Sequence, residues 1–449
     1  MPQILQLANS LTRQTQSFSP LDPEHIKIYS CGPTVYSEPH IGNMRYFFVC
    51  GLLRDVLEHV CGYKKITHVM NITDVGHLVS DGDDGEDKME KGARREGITA
   101  RDVASRYTDR FIDILDKLHI RFEHMPKATD HIAEQVTMIQ ALEQWGYTYI
   151  VSDDGVYFDT SKMPDYGVLT NKENLAWLQA GERVDLWGKK NATDFALRKF
   201  NLTGKKRDME WESPWGVWFP WRHIECSAMS SKYLGDHFDI HTWGIDHIPV
   251  HHTNEIAQSE CSWSHRPRVN YRLHSQFLNS EGKKISKSLG NGYIMQDILD
   301  RGYSPEDLRM FFLKAHYRSF QDFTREALEE AKKNRLRLKL LSVEEEQAIS
   351  SELIQSLKDD LLDDLNSSKL MSKLFQTWVP RRLDENILKL WLDQLHTIEI
   401  QSDIQTLADR RRKAKTDKDW SLADQLRQEL KAQWREMLDG KDTYELRKW

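Results

Sequence analysis

Residues 25–34 read His-Ile-Lys-Ile-Tyr-Ser-Cys-Gly-Pro-Thr. Polar and apolar side chains alternate through Tyr29, the pattern of a half-buried strand, and Ser30-Cys31-Gly32-Pro33-Thr34 is a turn by composition. From Ile41 the period changes. Met44, Phe47, Phe48, Leu52, Leu53, Val56, Leu57 and Val60 recur at helical spacing, Gly62 closes the helix, and Lys-Ile-Thr-His-Val-Met-Asn-Ile at 65–72 predicts a second strand. Strand, turn, helix and strand in this order open a doubly wound parallel sheet, so the fold class is α/β and Rossmann-like. Ligands of such sheets bind outside the carboxyl ends of the strands, where Cys31 and His40 fall.

Outward from that unit, residues 1–119 are expected to form the first half of the nucleotide-binding domain. Residues 120–215 mix helices with short strands such as Gly155-Val-Tyr-Phe-Asp159, and predict an inserted connective region. The second half resumes near His223-Ile-Glu-Cys226 and fills 216–320. Residues 321–449 turn to charged amphipathic helices with few glycines, an all-α C-terminal bundle.

The chain has 449 residues, enough for several domains, and a net charge of −7. A nucleic-acid partner would therefore meet local basic patches, and two occur, at 332–339 and at 410–415. No run approaches the roughly 20 apolar residues that span a bilayer, and the first residues lack the basic start and apolar stretch of a signal peptide. A cytoplasmic location is expected, with no membrane partner. Five cysteines, an odd number, argue against a disulfide framework and leave metal binding open. Cys50 and Cys61 lie in the apolar helix and read as core.

Three motifs carry chemistry. His251 and Glu255 are four apart and share one helix face, so they can hold one metal between them. Cys31 and Cys226, from separate loops, would complete a tetrahedral site of two thiolates, an imidazole and a carboxylate. The alternative is a core cysteine pair beside an ordinary helical His/Glu pair. His40-Ile41-Gly42-Asn43 at a helix start sets an imidazole, a bare glycine and free N–H groups together, a cradle for phosphates. Lys284-Ile-Ser-Lys287-Ser-Leu-Gly-Asn291 places two lysines in a Ser- and Gly-containing loop, suited to neutralising a pyrophosphate leaving group.

With these residues in view, the chain resembles the class I aminoacyl-tRNA synthetases, and specifically the cysteinyl-tRNA synthetase family, over essentially its whole length. The resemblance rests on Cys31-Gly-Pro-Thr-Val-Tyr36, His40-Ile-Gly-Asn43, Asn71-Ile-Thr-Asp-Val75, Tyr157-Phe-Asp159, His223-Ile-Glu-Cys-Ser-Ala-Met229, Asp239-Ile-His241, His251-His-Thr-Asn-Glu-Ile-Ala-Gln-Ser-Glu260 and the Lys284 loop. It implies that Cys31, Cys226, His251 and Glu255 hold one Zn²⁺ that binds the thiolate of the substrate cysteine. It implies ATP with Mg²⁺ and L-cysteine as substrates, cysteinyl-adenylate as intermediate and tRNA(Cys) as acceptor, in a monomer. His40, Asn43, Lys284 and Lys287 would stabilise phosphate charge, while Gly32, Thr34, Gly42, Asp246 and Lys287 would line the substrate and ATP site. Arg335, Arg337 and the run at Arg410 are expected to contact tRNA phosphates.

The chain also departs from the family in one consistent way. Trp218, Trp221, Trp243 and Trp263 stand where the family usually shows glycine, with Trp177, Trp187 and Trp434 as further candidates. Arg198, Arg222, Arg268 and Arg272 stand where it usually shows tryptophan. An exchange this selective is what a variant genetic code, read with another table, would write. Two other functions are compatible with parts of the sequence. A ligase joining cysteine to a small-molecule amine would lack the helical tail, and a degenerate tRNA-binding paralogue would not need the intact zinc and lysine residues.

Overall fold

The computed structural model describes residues 3–75, 88–152, 154–170, 188–200, 208–220, 223–263, 265–285, 290–344, 351–376 and scattered positions between 410 and 429. A hairpin of β1 (Gln6–Asn9) and β2 (Gln14–Ser17) precedes β3 (Ile26–Ser30). Then come α1 (Ile41–Asp55) and β4 (Ile66–Met70), the order that the sequence predicts. Helix α1 continues through Val56–Val60 with a wider turn, and Gly62 follows at φ 85°. The helix is buried on nearly every side, so its apolar residues exceed a single stripe, and each buried Phe or Leu contributes roughly 2 kcal/mol. Helices α2 (Lys88–Glu96) and α3 (Ala100–Lys117) pack over it, α3 starting where Thr99 Oγ1 accepts the Asp102 N–H at 3.1 Å.

The interrupting region contains α4 (Ile132–Gln144) and a four-stranded antiparallel sheet. Its strands, β5 (Thr148–Val151), β6 (Gly155–Phe158), β7 (Phe195–Phe200) and β8 (Trp218–Pro220), lie in sequence order. Phe158, Phe195, Leu197 and Trp218 share a core with Met138, Ile139 and Leu142 of α4 and with Ile256, Ala257 and Cys261. The inserted sheet is thus seated on the helix that carries His251 and Glu255.

The second half supplies α5 (Ile224–Leu234), β9 (Phe238–Gly244), α6 (His251–Ser262) and β10 (Val269–Ser275). The main sheet has the order β10-β9-β3-β4, and every pair in it is parallel. β3 therefore lies between its own successor β4 and a strand from the second half, which makes the β3/β9 border the switch point of the sheet. Register aligns the ends there, because Ser30 pairs with both Met70 and Thr242. Cys31 and Asn71 leave the sheet side by side there, while β9 runs on through Trp243 and Gly244 beside β10.

The chain continues through β11 (Leu278–Ser280), β12 (Lys283–Lys284), α7 (Met295–Asp300), α8 (Pro305–Leu313) and β13 (Gln321–Phe323). It then forms α9 (Arg325–Glu344), α10 (Ser351–Leu362) and α11 (Ser367–Gln376). β13 pairs in parallel with β11, and Leu328, Ala331, Leu357, Leu361 and Leu370 join the main core. As far as Gln376, the helices share the apolar core of the sheet unit instead of building one of their own. Among the described residues no helix is long and apolar enough to cross a membrane.

Candidate metal and nucleotide site

Cys31 follows β3 directly, Cys226 lies in the first turn of α5, and His251 and Glu255 lie one helical turn apart on α6. Their four ligand atoms all fall within 4.8 Å of one another. Cys31 Sγ is 3.6 Å from His251 Nε2 and 3.4 Å from Glu255 Oε1. With metal bonds of roughly 2.0–2.3 Å, a tetrahedron has edges of about 3.3–3.8 Å, so these spacings suit zinc. The donor set is also chemically right for it, with two soft sulfurs, one imidazole and one carboxylate.

Electrostatics prepare the same atoms. Burial raises the Cys31 thiol well above its ordinary value, helped by the neighbouring Cys226 sulfur and Glu255 charge. The hydrogen bond with Cys31 lowers Cys226, so one thiolate is favoured over two when no cation is there. Burial opposes charge on Glu255, yet His241, His251 and His252 around it hold its carboxyl well below the usual range. Burial likewise opposes charge on His251, but Glu255 at 2.6 Å and Cys226 raise it to about 10. The pocket thus balances its own negative charge with an imidazolium, a role that a divalent cation can take over.

A bank of histidines surrounds these four residues, and the i, i+4 spacing pointed to only one of them. His241 Nε2 is 2.6 Å from Glu255 Oε2, His252 Nε2 is 3.5 Å from Cys31 Sγ, and His223 Nδ1 is 2.5 Å from His251 Nδ1. Cys31, His241, His252 and Glu255 form a second set of four ligand atoms within the same 4.8 Å limit. His252 is tied in turn to His274 at 2.8 Å. Asn71 also escaped the sequence reading as a site residue, although its motif was visible. Its Oδ1 accepts the Gly32 N–H at 2.8 Å and lies 3.6 Å from Cys226 Sγ. Tyr46 is another such residue: its hydroxyl lies 3.1 Å from the Cys31 carbonyl and 3.0 Å from that of Thr242, fastening α1 to both strand ends.

Gly32 has a clear steric reason to be glycine, since an added Cβ would stand 1.5 Å from the Asn71 carbonyl oxygen. Thr34 bridges to Thr73 beyond it. His40 is the N-cap of α1. Its Nδ1 accepts the Asn43 N–H at 3.3 Å, while Asn43 Oδ1 accepts the His40 N–H at 3.2 Å. A Cβ on Gly42 would lie 3.1 Å from the His40 ring and 3.3 Å from Ile285 Cδ1, and the Ile41 N–H donates to the Tyr293 carbonyl at 2.8 Å. The two phosphate-type motifs therefore meet at the helix N-terminus. Lys284 is exposed, with Nζ 5.0 Å over the Phe277 ring. Lys287 lies outside the described residues.

Asp246 is exposed in the turn after β9. Trp243, the last residue but one of β9, packs its ring 4.2 Å from that of Tyr46 and 4.6 Å from that of His247. Trp177, Trp187, Trp221, Arg222 and Trp434 lie outside the described residues. One expected phosphate contact is occupied otherwise: Arg335 is buried and its Nε donates to Asp307 at 2.6 Å, joining α9 to α8. Arg337 sets its guanidinium 5.5 Å over the Phe375 ring, and Arg410 is exposed.

Residues 17–333 match the family described as "tRNA synthetases class I (C) catalytic domain". The chain is 42% identical to the "Cysteine--tRNA ligase 1" of Burkholderia lata, an alignment covering 96% of this chain and 94% of that protein. It is 38% identical to the "Cysteine--tRNA ligase" of Treponema denticola, over 95% and 96% of the two chains. Among solved structures it is similar to the methionyl-tRNA synthetase of Mycobacterium tuberculosis in complex with methionyl-adenylate. The TM-score is 0.58 over 83% of this chain and 88% of that one, at 13% identity, a likeness of fold.

Proposed function

The chain belongs to the cysteine–tRNA ligases of the class I synthetases, and from that membership we propose how its own residues carry the reaction. A ligase of this family uses ATP, cysteine and tRNA. Cys31, Cys226, His251 and Glu255 would hold a zinc ion, which when bound supplies a soft Lewis acid for the substrate thiolate. What supports this reading above all is the convergence of those four donors at the switch point of the sheet, from three separate elements. A serine hydroxyl cannot replace a zinc–thiolate bond, so selection at this step suffices without an editing site.

The substrate carboxylate attacks the α-phosphate of ATP, and pyrophosphate leaves. His40 and Asn43 lock each other as caps, which aims the free N–H groups of α1 at the phosphates. Because His40 Nδ1 accepts from Asn43, the neutral ring carries its proton on Nε2, the atom that would donate to phosphate. Gly42 leaves the backbone bare beside Ile285, and Lys284 and Lys287 would neutralise the departing pyrophosphate, with Mg²⁺ accompanying the nucleotide. Gly32 and Thr34 would line the cysteine pocket, and the exposed Asp246 would hold the substrate amine or the adenosine. The ribose hydroxyl of tRNA(Cys) then takes the cysteinyl group from the adenylate.

In the same reading, 1–119 and 216–320 are the two catalytic halves, 120–215 is the inserted connective region and 321–449 grips the anticodon arm. The enzyme works as a monomer in the cytoplasm. Cysteine-dependent ATP–pyrophosphate exchange and tRNA charging, with serine as the control, test the assignment. Exchange without any tRNA charging would favour a small-molecule acceptor, and the helices α9 to α11 weigh against that outcome.

A further inference from the structure

Seven arginines among the described residues are buried, and they differ in how their N–H groups are met, Arg54 among the better-met ones leaving only its Nε. Four are accommodated. Arg45 donates to the carbonyls of Gln276, Phe277, His316 and Ser319 at 2.8–3.1 Å. Arg54 pairs with Glu123 at 2.7 Å, and Arg335 pairs with Asp307. Arg309 donates to the Leu118 carbonyl and faces the charges of Asp55 and Glu306.

The other three, Arg198, Arg268 and Arg272, are 0%, 1% and 2% exposed and form no direct ion pair among the described residues, although Glu143 lies near Arg198 and Glu255 and Glu260 lie near Arg268 and Arg272. Among the described residues Arg198 leaves Nε and Nη2 without a partner, Arg268 leaves Nε and Nη1, and Arg272 leaves Nη1. Arg198 instead sits among rings, its guanidinium 4.5 Å from Phe200, 4.5 Å from Trp215 and 6.0 Å from Trp218. Arg268 faces Phe238 at 5.8 Å. A guanidinium has five N–H donors and cannot shed its charge, so a buried one needs acceptors on several sides. These sites offer them on one side only: Ser213 Oγ at 3.0 Å for Arg198, and Ser231 Oγ at 2.6 Å with the Gly235 carbonyl at 3.2 Å for Arg268. A flat slot lined by rings with a single polar direction matches an indole, which has one N–H.

Certain tryptophans show the complementary misfit. Trp218 is fully buried and Trp263 partly so, yet among the described residues neither indole N–H has a partner, whereas that of Trp215 donates to Glu143 at 3.2 Å. Trp218 adjoins Arg198, so the larger ring at 198 would take up part of the space that glycine at 218 leaves. Trp243 sets a large ring beside Tyr46 and His247 near the carboxyl end of β9, the side of such a sheet on which ligands bind.

We propose that, in the protein made by its native cell, positions 198, 268 and 272 carry tryptophan and positions 218, 243 and 263 carry glycine. One codon written as arginine and one written as tryptophan would have these meanings in that cell's code. Mass spectrometry of tryptic peptides from the native protein tests it. No cleavage after positions 198, 268 and 272, indole masses there, and glycine masses at 218, 243 and 263 are expected. Cleavage and guanidinium masses at the first three, or indole masses at the last three, would overturn the corresponding assignment. A recombinant comparison gives a second measure. The chain bearing all six exchanges, among them Arg198→Trp and Trp218→Gly, should unfold roughly 5–10 °C above the chain as written. An equal or lower midpoint counts against the proposal.

Discussion

The Cys31 sulfur stands 3.6 Å from His251 Nε2 although 220 positions separate the two residues. Cys31 follows a strand and His251 begins a helix, and the parallel pairing of β3 with β9 brings them together. If this contact is a metal site, Cys31→Ala and Cys226→Ala should each purify without bound zinc. Each should lose about 10³-fold or more in kcat/KM for cysteine, because the lost bond is the one that distinguishes the substrate. Elemental analysis and pyrophosphate exchange measure the two effects, and full metal content in both variants would refute the site.

His241 acts through Glu255, whose other oxygen faces His251. Replacing it by alanine removes a hydrogen bond that orients a ligand, and such changes typically weaken metal binding by about 10–100-fold. Competition with a zinc-binding dye should show that loss, with secondary structure unchanged by circular dichroism.

Gly32 and Gly42 both carry no side chain, for different reasons. Gly32→Ala would drive a methyl into backbone at Asn71 and should cost more than about 3 kcal/mol, enough to unfold much of the protein at growth temperature. Gly42→Ala meets only the movable His40 ring and Ile285, so denaturant titration should show a loss of about 1 kcal/mol. Its larger effect should be on KM for ATP.

Asn43→Ala removes half of the capping box of α1 and should cost about 1 kcal/mol. The activation rate should fall further, by about 10²-fold, because the same cap aims the helix N–H groups at phosphate. Single-turnover adenylate formation separates the two effects.

Two buried histidines make the protein sensitive to acid. Burial, and then the Arg54 charge, hold His68 well below 6.5, and burial brings His274 to about 3. In the unfolded chain both bind protons near 6.5, so the unfolded state takes up more protons below that pH. The stabilisation by neutral histidine is complete above about pH 6.5 and is lost as the pH falls toward the folded values, by up to about 1.4 kcal/mol per pH unit for each group. Buried Asp55, raised to about 7, acts in the opposite sense over this range, so the test is comparative: the change in urea midpoint from pH 7 to pH 5 should be less destabilising in His68→Gln than in the parent chain.

The alternation at 25–29 and the helical period from Ile41 were enough to place β3, α1 and β4, because those elements bury faces whose spacing is written locally. The spacing of His251 and Glu255 was likewise local, since one helical turn puts both on one face. His241 and His252 were invisible as companions of Cys31 because their approach depends on where β9 and α6 lie relative to β3. The role of Arg335 was misjudged for a similar reason. A basic run on a helix reads as a solvated or nucleic-acid face until the packing of α9 on α8 turns that residue inward to Asp307.

Sequence by itself determined the fold class, the His251/Glu255 pair and the two phosphate motifs, since each rests on residue type at short spacing, while Cys31 and Cys226 joined that pair through residue type and the family resemblance. Tertiary structure alone decided which distant donors converge, which glycines have no room for a methyl, and which arginines lie buried with N–H groups unmet among the described residues. Those properties follow from strand order and register, which bring residues two hundred positions apart into contact and strip water from them.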